Sequence, residues 1–124
     1  MNAAPPITLF GIANCNTVKN ARAWLKEQGI ACAFHDFKKA GVPPAALDAW
    51  LNALGWEPLL NRRGTTWRQL DAAAQTSVRD RASARALMLA WPSVIKRPVM
   101  QWGSGQISVG FDAQDWKNRL SSAM

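Results

Sequence analysis

A change from strand to helix occurs within residues 7–18, which read ITLFGIANCNTV. The apolar, β-rich run from Ile7 to Ile12 predicts a short buried strand. Asn14 to Thr17 follow, and asparagine and threonine are typical of the start of a helix. The sequence therefore predicts that Cys15 lies where a strand ends and a helix begins.

The residues after this junction predict a β-α-β unit. One face of the helix repeats at helical spacing through Val18, Ala21 and Leu25. Gly29 is typical of a helix end, and Ile30 to Phe37 predicts a second strand that carries Cys32. Because strands joined by a crossover helix are parallel, we expect these two strands to form a parallel pair with a right-handed connection.

Helices are predicted through the middle of the chain. The clearest helix would bury the face formed by Leu47, Trp50, Leu51 and Leu54. A short helix is predicted over Thr66 to Ala73. A longer one, Ser77 to Ala90, would bury Val78, Ala82, Ala86 and Leu89. We expect this block, from about residue 42 to residue 92, to be a helical insertion.

The last part of the chain predicts a return to the sheet. Val99 to Trp102 and Gln106 to Val109 flank a glycine-containing turn, which is the pattern of a hairpin. Asp112 is placed to cap a final helix, and Phe111 and Trp116 are spaced to pack together across its first turn. The predicted fold class is therefore α/β, a four-stranded mixed sheet flanked by helices. We expect a single domain over residues 1–124 that carries the helical insertion.

Length and composition fit one small globular domain. The chain has 124 residues, 48% of them hydrophobic, and no apolar run of the roughly 18–20 residues that a membrane span needs. Its start, Met1 to Pro6, lacks the basic and apolar regions of a signal peptide. We therefore expect a cytoplasmic protein that does not associate with membranes. One histidine and two cysteines are too few ligands for a structural zinc site, so no metal is expected.

A net charge of +7 is compatible with several kinds of partner. A nucleic acid, an acidic protein and an anionic substrate would each suit a basic surface, and a solvated basic surface without a partner has the same charge. The basic residues are spread along the chain, and no nucleic-acid-binding motif accompanies them. Direct nucleic-acid binding is therefore not expected.

Cys15 is the first candidate for chemistry. Free N–H groups and the positive end of a helix dipole stabilise a thiolate at a helix start, and the thiolate is the nucleophilic form of cysteine. Lys19, one turn further on, could add positive charge. The alternative is an inert buried cysteine, but Asn14, Asn16 and Thr17 make the surroundings polar. The sequence therefore favours a reactive Cys15.

Cys32 is the second cysteine, and its surroundings are different. It lies in the apolar run from Ile30 to Phe34, which predicts a small buried hydrophobic residue. Cys15 has no C-x-x-C partner, because Val18 stands at the required position. A resolving thiol would therefore come from another molecule, for which glutathione is a candidate.

Two arginine-containing segments are further candidates. Arg97 precedes Pro98 at the start of a predicted strand, where a proline often marks a constrained turn and sometimes a cis bond. An ordinary edge-strand proline is the alternative. Arg62 and Arg63 lie in a polar loop beside Gly64, where they could clamp an anion or could simply be solvated.

Four stretches resemble one protein family. Leu9 to Arg22 resembles the opening of the arsenate reductase (ArsC)-related family, in particular its YffB branch, which is also related to the Spx regulators. Leu59 to Thr65 resembles the arginine loop of the family, and Ile95 to Val99 its Arg-Pro strand. Gln106 to Phe111 resembles the close of its hairpin. The resemblance covers nearly the whole chain in order.

The resemblance implies a thioredoxin-like fold with a helical insert. It also implies that Cys15 is the nucleophile and that Pro98 is a cis-proline beside it. The arginines with which ArsC enzymes hold an oxyanion come from three places, and Arg97 matches one of them.

The other two arginine positions of the family are not matched. Asn61 stands at the second position, where Arg62 or Arg63 could substitute, and the third falls near Val109 to Phe111, which contain no arginine. We therefore expect poor arsenate reduction. The missing C-x-x-C pair also departs from the redox switch of the Spx regulators.

Two functions follow from these residues. The first is a glutathione-dependent thiol/disulfide reductase with Cys15 as the catalytic residue, no tightly bound cofactor, and glutathione as co-substrate. Its substrate would be a small anion or a disulfide. The candidate substrate- or anion-binding residues are Asn14, Lys19, Arg62, Arg63, Arg97 and Pro98. The alternative is a Spx-like regulatory protein that binds RNA polymerase without catalysis.

Overall fold

A four-stranded sheet is formed from strands at the two ends of the described chain. The computed structural model describes residues 7–122, so the expectation about a signal peptide at residues 1–6 lies outside it. The strands are β1 (Ile7–Gly11), β2 (Cys32–Asp36), β3 (Val99–Gln101) and β4 (Ile107–Val109). The helices are α1 (Asn16–Glu27), α2 (Phe37–Ala40), α3 (Pro44–Leu54), α4 (Trp56–Leu59), α5 (Thr65–Gln69), α6 (Ala72–Ser77), α7 (Arg81–Ala90) and α8 (Ala113–Ser122).

The sheet is mixed, with the strand order β2-β1-β3-β4. β1 runs parallel to β2, with Ile7 opposite Cys32, and antiparallel to β3, with Phe10 opposite Val99. β3 and β4 form the antiparallel hairpin predicted from the glycine-containing turn. The predicted fold class, a four-stranded mixed sheet flanked by helices, is therefore confirmed. β2 is shorter than the predicted strand of Ile30 to Phe37, because it begins at Cys32 and ends before Phe37, which begins α2.

One hydrophobic core joins this sheet to α1 and α8. The predicted face of α1 is buried in it, since Val18 and Ala21 are inaccessible to solvent. Gly11 permits the close approach of β1 and α1, because a Cβ built there would lie 2.8 Å from Val18 Cγ2. The buried members of the core are Leu9, Val18, Ala21, Leu25, Met100, Trp102 and Trp116.

The first turn of α8 has the predicted cap and hydrophobic contact. The Asp112 carboxylate accepts a hydrogen bond from the Asp115 N–H at 3.0 Å. The rings of Phe111 and Trp116 lie edge to face, with centroids 4.7 Å apart. The predicted hydrophobic staple is therefore confirmed, and it fixes the angle at which the chain leaves β4 and enters α8.

Residues Phe37–Lys96 form a second compact unit, distinct from the unit made by the described residues up to Asp36 and from Arg97 onward. The predicted helical insertion of about residues 42–92 lies inside Phe37–Lys96. α3 buries Leu47, Trp50 and Leu51 as predicted, whereas Leu54, in its last turn, is only partly buried. α7 packs against α3 and α4.

The prediction for α7 was wrong in its start and in its buried face. The helix begins at Arg81 rather than Ser77, because Asp80 and Ser83 form a capping box. Val78 is buried as predicted but lies before the helix. The buried residues of the helix are Ala84 and Met88, whereas Ala82 and Ala86 are exposed and Leu89 is partly buried. The single helix predicted over Thr66 to Ala73 is two short helices, α5 and α6. Across residues 7–122, no helix combines the length and apolar character needed to cross a membrane.

Candidate active site

Cys15 is the N-cap residue of α1. Its φ and ψ of −122° and 124° are extended, and its carbonyl accepts the first hydrogen bond of the helix from the Lys19 N–H at 2.9 Å. No side-chain cap hydrogen bond closes the first turn, and no acidic residue lies in that turn. The partly exposed thiol therefore lies at the positive end of the helix without a competing carboxylate in the first turn.

Several effects act on the pKa of the Cys15 thiol, and their net result is a lowered pKa. Burial is the largest effect and raises the pKa. The Val18 N–H, a hydrogen bond and charge attraction from the Arg97 guanidinium, and the Thr17 N–H together outweigh it. The thiolate, which is the reactive form of cysteine, is therefore favoured at this position.

Arg97 reaches Cys15 because of the register of the sheet. Phe10 of β1 pairs with Val99 of β3, so the residues just before β3 lie at the same end of the sheet as the β1–α1 turn. The Pro98 carbonyl accepts a hydrogen bond from the Gly110 N–H at 2.9 Å, which fixes this segment to the far end of β4. The Arg97–Pro98 peptide bond is cis, as the family resemblance implied.

Asn14 and Lys19 flank Cys15 on the exposed side of the turn. Within the described part of the chain, Lys19 is not among the groups that shift the pKa of Cys15. The cation that acts on the thiol is the side chain of Arg97, which lies far from Cys15 in sequence. Lys19 and Asn14 are available to a molecule that approaches from solvent.

Arg62 and Arg63 belong to the second unit, where they line a cavity of about 440 Å³. The Asn61 side-chain oxygen accepts a hydrogen bond from the Arg63 N–H at 3.2 Å, and the Arg62 guanidinium lies 5.7 Å from the centre of the Trp56 ring. Lys96 lines the same cavity. The cavity is thus lined by three cations and by one carboxylate, that of Glu57.

The sequence analysis did not identify Lys96 or Trp56 as neighbours of this loop. Lys96 is placed there by backbone hydrogen bonds between two distant segments, from the Lys96 N–H to the Leu59 carbonyl at 2.7 Å and from the Asn61 N–H to the Val94 carbonyl at 2.8 Å. No local signal in the sequence indicates this pairing. The Trp56 contact also depends on tertiary packing.

Cys32 was predicted to be a buried hydrophobic residue, and this prediction was wrong in degree. The residue is only partly buried, because β2 is an edge strand of the sheet. Burial raises the pKa of its thiol, and the Leu9 backbone and the charge of Arg22 offset this only in part. The two cysteines therefore differ in the direction of their pKa shifts rather than in their exposure.

No metal site is indicated within residues 7–122, where no group of three or more His, Cys, Asp or Glu side chains is arranged to hold an ion. The chemistry available at the site is that of a thiolate beside an arginine. The thiolate can attack an electrophilic sulfur, and the arginine can bind a small anion beside it.

The fold and this site together define a thioredoxin-like protein with a single cysteine at the start of its first helix. The ArsC family model matches residues 10–118, and the chain belongs to the ArsC family. The resemblance seen in the sequence is thereby confirmed.

Similar proteins cover nearly the whole chain. A structure of a protein called YFFB (PA3664) is 45% identical, with a TM-score of 0.86, and the match covers 92% of this chain and 98% of that one. An ArsC-related protein from Brucella melitensis is also 45% identical, with a TM-score of 0.72, over 95% and 97% of the two chains. An uncharacterised protein of Haemophilus influenzae is 35% identical over 90% of this chain and 96% of its own. An arsenate reductase from Vibrio cholerae, 18% identical with a TM-score of 0.76 over 94% and 98% of the two chains, shares the fold.

Proposed function

We propose that this protein is a glutathione-dependent thiol/disulfide reductase in which Cys15 is the nucleophile. One observation carries the proposal: the Cys15 thiol lies at the N-terminus of α1 beside Arg97, and its pKa is lowered although burial opposes the shift. Membership of a family that includes arsenate reductase-like proteins supports thiol chemistry at this position. The reducing cytoplasm, where glutathione is abundant, is the compartment in which such an enzyme would work.

The reaction consists of three thiol–disulfide exchanges. In the first, the Cys15 thiolate attacks one sulfur of a substrate disulfide, a Cys15–substrate mixed disulfide forms, and the second substrate sulfur leaves as a thiolate that takes up a proton. In the second, a glutathione thiolate attacks the substrate sulfur of this mixed disulfide, which releases the Cys15 thiolate and forms a substrate–glutathione disulfide. In the third, a second glutathione thiolate attacks the glutathione sulfur of that disulfide, so that glutathione disulfide forms and the second substrate thiol is released. One disulfide and two glutathione molecules give two thiols and one glutathione disulfide.

Arg97 has two tasks in this scheme. Its positive charge stabilises the Cys15 thiolate before attack, and the same charge makes Cys15 a better leaving group when glutathione regenerates it. Asn14 and Lys19 would contact the substrate or glutathione from the exposed side. Glutathione carries carboxylates, which suits a chain with a net charge of +7.

Arg62 and Arg63 are the further anion-binding candidates of this proposal. Within the second unit, their guanidinium groups would bind a carboxylate or another small anion in the cavity that Glu57 also lines. Arsenate is a poor substrate in this scheme, because only one of the three arginine positions of the family is matched, by Arg97.

Incubation with glutathione disulfide, followed by peptide mass mapping, tests the proposal. We expect one glutathione on Cys15, none in Cys15→Ser, and an unchanged adduct in the matched control Cys32→Ser. A Cys15–Cys32 disulfide in place of the adduct would contradict the single-cysteine scheme. An unmodified Cys15 with an ordinary thiol pKa would instead favour a binding role, such as the RNA polymerase partner of the alternative hypothesis.

Turnover distinguishes the substrates. Reduction of a small mixed disulfide by glutathione, followed through NADPH and glutathione reductase, should depend on Cys15, while glutathione-coupled arsenate reduction should be slow. Robust arsenate turnover that is lost in Arg97→Ala would show that one arginine is sufficient for the oxyanion.

A further inference from the structure

We propose that a cavity at the opposite end of α1 from Cys15 binds an organic carboxylate with an aromatic body. The cavity measures about 540 Å³ and lies within the first unit, between the second half of α1 and strand β2. Small-molecule sites typically occupy about 300–1,000 Å³. The inference uses no property of Cys15 and is independent of the proposed function.

The cavity exists because β2 is an edge strand. Leu9, Cys32 and Phe34 share the face of the sheet that α1 covers, since Leu9 pairs with Phe34 and Cys32 lies two residues before Phe34. Among residues 7–122, no further strand lies beyond β2 to close the space beside it. The gap between α1 and the sheet therefore opens at this edge.

Apolar groups form the interior of the cavity. Leu9 and Leu25 are buried at its base, and Ile30 and Phe34 form partly exposed walls. An aromatic ring that entered would exchange water for these side chains at a gain of about 25 cal/mol per Å² of apolar surface removed from water. The Phe34 ring also offers an aromatic partner for edge-to-face packing.

Of the residues that the structure describes, two cations lie at the rim of the cavity and no acidic residue lines it. Arg22 and Lys26 are four residues apart on α1, where like charges repel each other in the absence of an anion. Neither forms a salt bridge with a residue of the described chain. The Arg22 guanidinium is held 4.2 Å from the centre of the Phe34 ring, so its position is fixed beside the apolar wall.

The C-terminal end of α1 does not cancel this positive charge. The helix dipole places about half a negative charge there, against two full cations. Backbone donors already occupy carbonyls of the last turn, with the Gly29 N–H bonded to the Lys26 carbonyl and the Ile30 N–H to the Leu25 carbonyl, both at 3.0 Å. The polar character of the rim is therefore cationic, which matches a carboxylate.

The position of this cavity separates it from the Cys15 site. α1 has 12 residues, which at 1.5 Å per residue is about 18 Å of helix. Cys32 lines the cavity and Cys15 does not. Alkylation of Cys32 is thus a built-in reporter of occupancy.

The experiment measures the rate at which iodoacetamide modifies Cys32 in full-length Cys15→Ser, with 2-naphthoate as the probe. We expect the rate to fall saturably, by at least about fivefold, with half-saturation below about 1 mM. The neutral analogue 2-naphthalenemethanol should bind about tenfold more weakly, because it lacks the charge-assisted contact. In the wild-type protein, the same concentrations of 2-naphthoate should slow Cys32 and not Cys15.

Three variants test the walls and the charges. The double variant Arg22→Gln with Lys26→Gln should weaken 2-naphthoate binding about tenfold, and Lys117→Gln, which removes a charge from an exposed position outside the cavity, should not. Ala23→Trp places a large side chain at an exposed helix position in the cavity wall and should abolish protection. The proposal is overturned if 2-naphthoate gives no saturable protection, if the double variant binds as tightly as its parent, or if Cys15 is protected equally.

Discussion

Arg97→Ala removes the side-chain cation that acts on the Cys15 thiol within the described chain. A hydrogen bond to a charged group contributes about 1.5–3 kcal/mol. We take the lower end of that range because both side chains are partly exposed. Since about 1.4 kcal/mol corresponds to a factor of ten, the thiolate fraction of Cys15 at pH 7 should fall about tenfold in the variant. Because the nucleophilicity of a thiolate rises with its pKa with a Brønsted slope of about 0.4–0.5, the net rate with iodoacetamide should fall about three- to fourfold.

The pH dependence gives a sharper test of the same substitution. The pKa of Cys15 should rise in Arg97→Ala, because the burial that raises it is then opposed only by the Val18 and Thr17 N–H groups. At a pH where Cys15 is fully ionised in the wild type and in the variant, Cys15 of the variant should react about two- to threefold faster. The reason is that thiolate nucleophilicity rises with pKa, with a Brønsted slope of about 0.4–0.5. The two rate profiles should therefore cross.

The assay follows the loss of free Cys15 by peptide mass mapping across the alkaline range, with circular dichroism to confirm that each variant is folded. Lys117→Ala is the matched control, since it removes one positive charge from an exposed position of the same unit. The rate profile of Cys15 in Arg97→Lys should lie between those of the wild type and Arg97→Ala, because a lysine keeps the positive charge without the planar fork of the guanidinium. Coincident profiles for the wild type and Arg97→Ala would refute the assignment of Arg97 to the site.

Three further outcomes are expected. Iodoacetamide should modify native Cys15 several-fold faster than Cys32 at pH 7, because the thiol pKa is lowered at Cys15 and raised at Cys32; equal labelling in peptide mass mapping would contradict this. Asp48→Asn should lower the free energy of unfolding at pH 7. The difference in unfolding free energy between the wild type and this variant should shrink below pH 3.8. The hydrogen bond and charge of Arg85 hold the pKa of Asp48 below that ordinary value, so its stabilisation is complete above pH 3.8 and is lost as the pH falls through the folded-state value. Urea titrations at several pH values measure the unfolding free energies of the wild type and Asp48→Asn. A difference that persists at about pH 2 would show that the substitution acts through side-chain packing rather than through charge. Asp112→Ala should cost about 1 kcal/mol of unfolding free energy, and Asp112→Asn much less, since asparagine also caps helices.

The sequence predicted the elements whose periodicity involves large apolar side chains. Leu47, Trp50 and Leu51 repeat at helical spacing, and all three are buried in α3. Alanine carries little information of this kind, because it is found on either face of a helix. For α7, the alanine spacing indicated Ala82 and Ala86, but the side chains that are buried are Ala84 and Met88.

A local polar signal could have corrected the start of α7. Asp80 and Ser83 stand at the spacing of a capping box, and their reciprocal hydrogen bonds begin the helix at Arg81. This signal sets the phase of the helix, and with the start at Arg81 the residue Val78 falls outside it. In a helix rich in alanine, the capping residues indicate the start of the helix better than the apolar spacing does.

The two thiols show which part of the candidate site the sequence could not supply. Cys15 and Cys32 are both partly exposed, and burial is the largest effect on each pKa and raises both. The helix start, which the sequence predicted, supplies two N–H groups that lower the pKa of Cys15. These N–H groups are only part of what opposes the effect of burial. Arg97 adds a hydrogen bond and a charge.

Arg97 is brought to the thiol by strand pairing, since the antiparallel register of β1 and β3 carries a residue 82 positions later in the chain to the end of the sheet where α1 begins. The spacing of residues along the chain does not predict the register of β1 and β3. Only the family resemblance connected the two segments in advance. The lowered pKa of Cys15 is therefore a property of the sheet topology as much as of the turn, and a substitution that shifted β3 by one residue should raise it even with both side chains intact. By the same reasoning the pKa of Cys32 should not respond, because its shift comes from burial, the Leu9 backbone and Arg22, none of which belongs to β3.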